Sequence, residues 1–312
     1  MDKVYSHYSV LLQESIEGLN INENGIYVDC TLGGGGHSSV ILSKLINGHL
    51  YSFDQDDYAI GVANKRLSEI GTNYTIIKDN FCNIKEALKL EGIEKVDGIL
   101  YDLGVSSFQL DIPERGFSYR FDGPLDMRMN QNDTLDAYTV VNSYSESELK
   151  RILYEYGEEK FAPLIAKKIV NERKNKPITS TLELVEIIKK ALPASALRSV
   201  GHPAKQTFQA IRIEVNHELD ILKQSLSDGL DLLNKGGRMV VITFHSLEDK
   251  IVKKLFKEKT SLNLPKGLPF IPEGYEIEYE LVNSKIILPS EEELEVNNRS
   301  HSAKMRIIKK IA

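Results

Sequence analysis

The chain has 312 residues, 41% of them hydrophobic and 27% charged, with a formal net charge of −6. That length suits one large domain or two, and the balance is that of a globular protein with a sizeable core. No apolar run reaches the roughly 20 residues a membrane span needs. The opening "MDKVYSHYSV" lacks the apolar stretch of a secretory signal. Cys30 and Cys82 have no metal-type spacing, so a reducing, cytoplasmic setting without disulfides or zinc is expected.

The first hundred residues alternate regularly. "GIYVDCT" (25–31) reads as a buried strand and "HSSVILSKLI" (37–46) as a helix. "HLYSFDQD" (49–56) is a second strand. "DYAIGVANKRLSEI" (57–70) is a helix capped by Asp56 or Asp57. "YTIIKDNF" (74–81), "NIKEALKLEG" (83–92) and "VDGILYDLGV" (96–105) continue as strand, helix and strand. Such alternation implies a parallel sheet covered by helices, with ligands bound beyond the carboxyl ends of the strands.

The rhythm then stops. Residues 106–144 are rich in Asp, Gly, Pro, Ser and Arg and read as irregular. Helical patterns follow. One opens at a Ser145–Glu148 capping box and closes at Gly157; the next is "KFAPLIAKKIVNERK"; a third opens at a Ser180–Glu183 box. After Pro203 the spacing predicts one long helix through "QTFQAIRIEVNHELDILKQSLSDGLDLL", then a strand at 238–244, a helix in "LEDKIVKKLFKE" and a β-like pair, "YEIEYEL" and "AKMRIIKKI". The expected architecture is α/β: a sheet domain over 1–110 and 206–312, interrupted by an all-helical insertion at 111–205.

Charge is uneven. Lys160 to Arg212 holds eleven Lys and Arg against three acids, a net +8 that leaves −14 for the remainder. A basic segment in an acidic chain suggests a phosphate-rich partner, with Lys167, Lys168, Arg173, Lys174, Lys176, Arg198 and Lys205 as its contacts. The loop "ERGFSYRFDGPLDMRMN" mixes arginines with aromatics and reads either as a base-stacking lid or as a structured loop packed on the insertion.

The chemistry concentrates in "YVDCTLGGGGHSS". A phosphate-cradling P-loop needs a lysine after its glycines, and His37 and Ser38 stand there instead. A dinucleotide loop fits Gly33 and Gly35, but its third position is Ser38, and Asp29 would face a pyrophosphate. S-adenosylmethionine reverses the sign: it carries a sulfonium, an α-ammonium group and no phosphate. An acid at the strand end accepts from the ammonium, and glycines admit the methionine moiety. Asp54 ends the second strand where a carboxylate would grip ribose hydroxyls. Phe81, past the third, is placed to lie on adenine or to pack in the core. Asp102 ends the fourth, beside the reacting end of such a cofactor. His245 and Ser246 follow the fifth strand, Ser246–Asp249 reading as a helix cap and His245 as a residue facing substrate; His7 and His202 are weaker candidates of that sort.

The stretches "HYSVLLQESIEGL", "DCTLGGGGHS", "DGILYDLGVSSFQLDIPERGFSYRFDGPLDMRM", "YGEEKFA", "HPAKQTFQAIRIEVNHEL", "GGRMVVITFHSLEDKIVK" and "NNRSHSAKMRI" occur in order. Together they resemble the bacterial RsmH (MraW) family, which methylates N4 of a cytosine in the decoding centre of 16S ribosomal RNA. The resemblance implies a Rossmann-like class I methyltransferase sheet with an inserted helical, RNA-recognising domain. It implies cofactor contacts at Gly35, Gly36, His37, Asp54, Phe81, Asp102 and Gln109, and the small ribosomal subunit as partner; the loop pattern adds Gly33 to the cofactor contacts, the position of Asp102 makes it also the catalytic candidate, and no metal is expected. Phe108 stands where that family has proline, and Asp57 replaces another proline. The loop dialect D-x-T-x-G-x-G also approaches enzymes that methylate amino groups of DNA bases. A DNA amino-methyltransferase and a non-catalytic, cofactor-binding ribosome assembly factor are therefore the alternative readings. Oligomeric state is open, a homodimer included.

Overall fold

The computed structural model describes residues 9–198, 201–261 and 277–312. They fall into two compact units, Met1–Gly104 with Leu219–Ala312, and Val105–Glu218.

The first unit is built on a seven-stranded sheet of order β3-β2-β1-β4-β5-β7-β6. Its strands are β1 Ile26–Asp29, β2 His49–Asp54, β3 Tyr74–Lys78, β4 Val96–Asp102, β5 Leu233–Thr243, β6 Tyr279–Leu281 and β7 Lys304–Lys310. The first five in chain order run parallel; β7 is antiparallel to both β5 and β6. This is the class I methyltransferase sheet. Side chains alternate across it, as the two-residue strand period demands. Val28, Ile99, Tyr101, Met239 and Val241 join one apolar cluster, whereas Tyr27, Leu100, Val240 and Ile242 join another on the opposite face. Both faces are thus covered, as a parallel sheet requires. Helix Asp57–Ser68 is capped by Asp56, whose Oδ1 accepts from Tyr58 N, while Asp57 pairs with Lys78 at 2.6 Å.

The second unit is helical. Helices Ala137–Ser143, Glu146–Glu155, Ala162–Glu172, Thr181–Ala191 and Lys205–Asn216 enclose a separate core that includes Val140, Ile152, Ile165, Ile169, Ile188, Phe208 and Ile211. The reciprocal Ser145–Glu148 box is present. The second box forms by half: Ser180 Oγ accepts from Glu183 N, but the Glu183 carboxylate turns to Thr179 N and Lys176.

Two expectations fail locally. Residues 106–144 are not irregular throughout, because Ser106 and Gln109 cap a short helix, Ser107–Asp111, and Asp136 caps Ala137–Ser143. The long helix after Pro203 is two helices. Lys205–Asn216 ends at His217, which adopts φ 51°, and Glu218–Leu232 follows. The apolar period runs on through the break, so periodicity could not reveal it. Asn216 fixes the turn: its amide donates to Met127 O and its Oδ1 accepts from Met129 N. Arg212 grips Glu218 through two 2.8 Å bonds.

Candidate active site

Three acids end three neighbouring strands. In register, Asp29 of β1 faces Ser52 of β2 and Leu100 of β4. Asp54 and Asp102 therefore lie two residues, about 6–7 Å, further along the strand direction. The loop Thr31–Gly36 rises between them. Asp29 forms the floor and is fully buried. Its Oδ1 accepts from Thr31 N at 3.0 Å and Thr31 Oγ1 at 3.3 Å; its Oδ2 accepts from Ser38 Oγ at 2.7 Å. Both oxygens are spent inside the fold, so Asp29 organises the loop instead of presenting an acceptor for an ammonium group, as the sequence suggested.

Thr31 bridges the loop to the neighbouring strand. Its hydroxyl accepts from Asp102 N at 2.7 Å while facing Asp29, tying the loop to the end of β4. The neighbouring Gly33 N donates to Asp54 Oδ2 at 2.8 Å. Gly35 begins the helix Gly36–Ser43 at φ 75°, a left-handed conformation that costs a residue with a Cβ roughly 1–2 kcal/mol. The loop is thereby tied to strands on both sides.

Asp54 also accepts from Asp56 N at 2.9 Å, yet burial pushes its carboxyl up to about 6. Phe81 opens a 3-10 turn after β3, half-buried and edge-on to Tyr101 with ring centres 5.7 Å apart. Asp102 is the most perturbed of these acids. Burial raises its pKa well above the usual carboxylate range, and Asp29, Glu248 and Glu293 push it further by repulsion. Its Oδ1 is enclosed and has no hydrogen-bond partner, while Oδ2 lies 3.5 Å from His37 Nδ1. An enclosed acceptor without a donor, set among acids, is matched to a cation and mismatched to a phosphate.

Glu248 and Glu293 were not legible as site residues. Glu293 Oε1 accepts from Leu11 N across 282 positions, and no local pattern signals that. Glu248 Oε2 accepts from Phe244 N and His245 N. The helix Ser246–Lys259 is accordingly capped from His245 and Glu248, not by a Ser246–Asp249 pair. His245 Nε2 sits 3.1 Å from Glu248 Oε1 with its side chain 9% exposed, and Asp249 binds Arg306. His7 lies outside the described residues.

In the helical unit Gln109 is buried, and its amide oxygen accepts from Ser106 N within the cap of its own helix. The structured-loop reading of 114–130 holds for much of that stretch. Arg115 is buried and donates to Arg128 O and Met129 O, Arg128 pairs with Asp126, and Phe117 joins the core. Phe121 remains 49% exposed, and Tyr119 stacks on His202 with ring centres 4.3 Å apart. Among the basic residues, Arg173 is structural, donating to Val141 O and Tyr144 O. Lys168, Lys176 and Lys189 are paired with Glu172, Glu183 and Glu186. Lys167, Lys174, Lys190, Arg198 and Lys205 are exposed.

A family model, the MraW methylase family, matches residues 4–311. The chain belongs to that family. It is a methyltransferase whose methyl donor is S-adenosylmethionine, and the enclosed, unpartnered Asp102 oxygen fits that cationic donor. Among solved structures the chain is similar to an rRNA methylase from Streptococcus thermophilus, with 12% identity, TM-score 0.43 and coverage of 99% of this chain and 100% of that one. TrmN from Thermus thermophilus matches with 10% identity and TM-score 0.43 over 96% and 48%. A SAM-dependent O-methyltransferase from Thermotoga maritima matches with 11% identity and TM-score 0.40 over 96% and 64%. Among the described residues no helix is long and apolar enough to cross a membrane.

Proposed function

We propose that this methylase acts on N4 of a cytosine in the decoding centre of 16S ribosomal RNA, in the cytoplasm, with the small ribosomal subunit as its partner. The observation that carries the chemistry is Asp102 at the end of the central strand β4, with one enclosed oxygen lacking any donor. The substrate rests on the ordered motifs along the chain and on family membership.

When bound, S-adenosylmethionine supplies an electrophilic methyl carbon on a sulfonium. Asp54 would accept hydrogen bonds from the ribose hydroxyls beside the Gly33 N–H it already holds. Phe81 would supply a face for the adenine. Gly35, Gly36 and His37 form the wall of the methionine end, where Gly36–Ser43 begins. Asp102 would hold the donor's cationic end. Gln109, whose amide oxygen serves its own helix cap, would contribute through its NH2 group. Cytosine N4 is a poor nucleophile, its lone pair delocalised into the ring, so it must be held about 3–3.5 Å from the methyl carbon, in line with sulfur. An acceptor for the departing amino proton, Asp102 or a carbonyl of "DLGVSS", assists. The base leaves its stack to reach this depth. Exposed Lys167, Lys174, Lys190, Arg198 and Lys205 of the helical unit supply phosphate contacts.

Small subunits from a strain lacking the gene, incubated with the protein and labelled donor, should gain one methyl group recovered as N4-methylcytidine. Label on another base, or on DNA in preference to RNA, would overturn the substrate assignment. Donor binding without turnover on any form of the subunit would favour the assembly-factor reading.

A further inference from the structure

Charge along the sequence gathers in the helical unit and leaves the remainder acidic. The fold nevertheless assembles a second basic face on the sheet unit. Helix Ser246–Lys259 and strand β7 together hold nine Lys and Arg against three acids, a net +6. Two of those acids are turned inward. Glu248 is buried and accepts from Phe244 N and His245 N, and Asp249 binds Arg306. The third, Glu258, lies 3.9 Å from Lys254 with both side chains exposed, a contact of little strength.

The lysines of this helix fall in a row. Lys250, Lys253, Lys254 and Lys257 stand at i, i+3, i+4 and i+7, the spacing of one helix face, and all four are exposed. The row is about 10 Å long at a rise of about 1.5 Å per residue. The opposite face carries Val252 and Phe256, which join the core cluster with Met239, Val241 and Tyr279. Like charges at i+3 and i+4 repel, so the row weakens its own helix. The helix dipole favours cations only in the last turn, and Lys250, Lys253 and Lys254 lie before it. Among the described residues, neither Lys253 nor Lys257 has an ion-pair partner. At the far end, Lys259 and Lys310 each place an ammonium group 5.8 Å from the Tyr279 ring centre, and the Tyr279 hydroxyl donates to Leu230 O.

We propose that this lysine row is a phosphate track, a surface of the sheet unit along which the backbone of the substrate RNA lies. Glu248, whose charge bears on Asp102, precedes Lys250 by two residues. The row therefore begins within one turn of the candidate active site and runs away from it along the helix. Its chemistry suits a polyanion of repeated charge. Lysine offers a point charge without the planar fork of arginine, and the row has no aromatic or amide side chain to read a base. Its contacts are thus to phosphates and independent of sequence. A cationic helix can also lie on an anionic membrane, but that needs a free apolar face, and here Val252 and Phe256 are packed in the core. The inference rests on RNA being the substrate. It adds that the unit carrying the methyl-transfer site grips that RNA itself, besides the helical unit.

Fluorescence anisotropy of a labelled 16S RNA fragment spanning the decoding centre, titrated at stepped salt, tests this directly. The double variant Lys253→Ala, Lys257→Ala should lower the slope of log affinity against log salt by about 1.4–1.8, two phosphate contacts at roughly 0.7–0.9 each, and weaken binding at about 0.1 M salt by about ten- to fiftyfold. Each single variant should show about half of that slope change. Lys89→Ala, at an exposed lysine on helix Ile84–Leu90 of the same unit, should leave slope and affinity unchanged. Donor affinity by calorimetry should be equal in all of these proteins, which separates the track from a folding defect. A double variant with the wild-type slope, when the wild type binds and methylates RNA, would overturn the track and leave the substrate assignment standing. No salt-dependent RNA affinity in the wild type would overturn both. A loss seen on phosphatidylserine vesicles and absent on RNA would make a membrane the occupant and refute the track.

Discussion

Thr31→Val tests the bridge between the glycine loop and the end of β4. The substitution preserves shape and removes one hydroxyl. That hydroxyl is the acceptor for Asp102 N at 2.7 Å, and it faces Asp29 Oδ1 at 3.3 Å. Leaving the Asp102 amide without a partner costs about 1–3 kcal/mol, while the added methyl returns under about 1 kcal/mol at this half-buried position. A net loss of about 1–2 kcal/mol lowers the melting temperature by about 2–8 °C for a unit of this size. Thr31→Ser keeps the acceptor and should lose less than half as much. Donor affinity should fall in the valine variant, because the Asp102 carboxylate is then drawn toward its own unpaired amide. Scanning calorimetry with and without S-adenosylmethionine reads both effects. If valine and serine variants melt together with the wild type, the bridge contributes nothing, and the explanation of the threonine fails.

Further consequences follow from the same geometry. Asp54 has its carboxyl raised to about 6 by burial, so the folded protein holds a proton there that the unfolded chain releases near 3.8. Its stabilising proton is fully present below about 4 and lost as pH rises through about 6. The Asp54→Asn apoprotein should therefore gain stability relative to wild type across that window in urea titrations at stepped pH. The same variant should bind donor at least tenfold more weakly at pH 8, since a charged acceptor for hydroxyls is worth about 1.5–3 kcal/mol. Lys167→Ala and Lys205→Ala should each lower the slope of log affinity for RNA against log salt by up to about 0.7–0.9, the counterion yield of one phosphate contact. Arg173→Ala should leave that slope unchanged and instead destabilise the helical unit, because its guanidinium serves Val141 O and Tyr144 O. Gly116→Ala should open the same unit to protease. Its φ is 71°, and a Cβ there would lie 2.2 Å from Pro124 O, a backbone atom that cannot swing away.

What the sequence revealed and what it hid divide along a physical line. Strand–helix alternation, the acids at the ends of β2 and β4 and the Ser145–Glu148 cap are local patterns. Each depends on residues within a few positions, and each was legible. The break at His217 was not, because the apolar period is unbroken there and the turn is held by Asn216 reaching back to Met127 and Met129. Arg173 looked like a phosphate contact because charge can be counted but its direction cannot; the side chain turns inward to two carbonyls. Asp29 looked like the ammonium acceptor because a strand-end acid is easy to see. Its occupation by Thr31 and Ser38 depends on a register two residues short of Asp54 and Asp102.

The same distinction decides where selectivity for a cation arises. No single motif position accounts for it, since a dinucleotide site would also show glycines and a strand-end acid. Burial of Asp102 first, and then repulsion around it, favour a cation, and the sources of the repulsion lie far apart in the chain: Asp29 on β1, Glu248 after β5, and Glu293 in a helix whose carboxylate is anchored on Leu11 N. A pocket assembled from such distant carboxylates penalises its own ionised state when empty and relieves that penalty only when a positive charge enters. A phosphate would add to the repulsion. The preference for a sulfonium donor over an anionic nucleotide is therefore a property of the folded constellation, which the glycine loop frames but does not create.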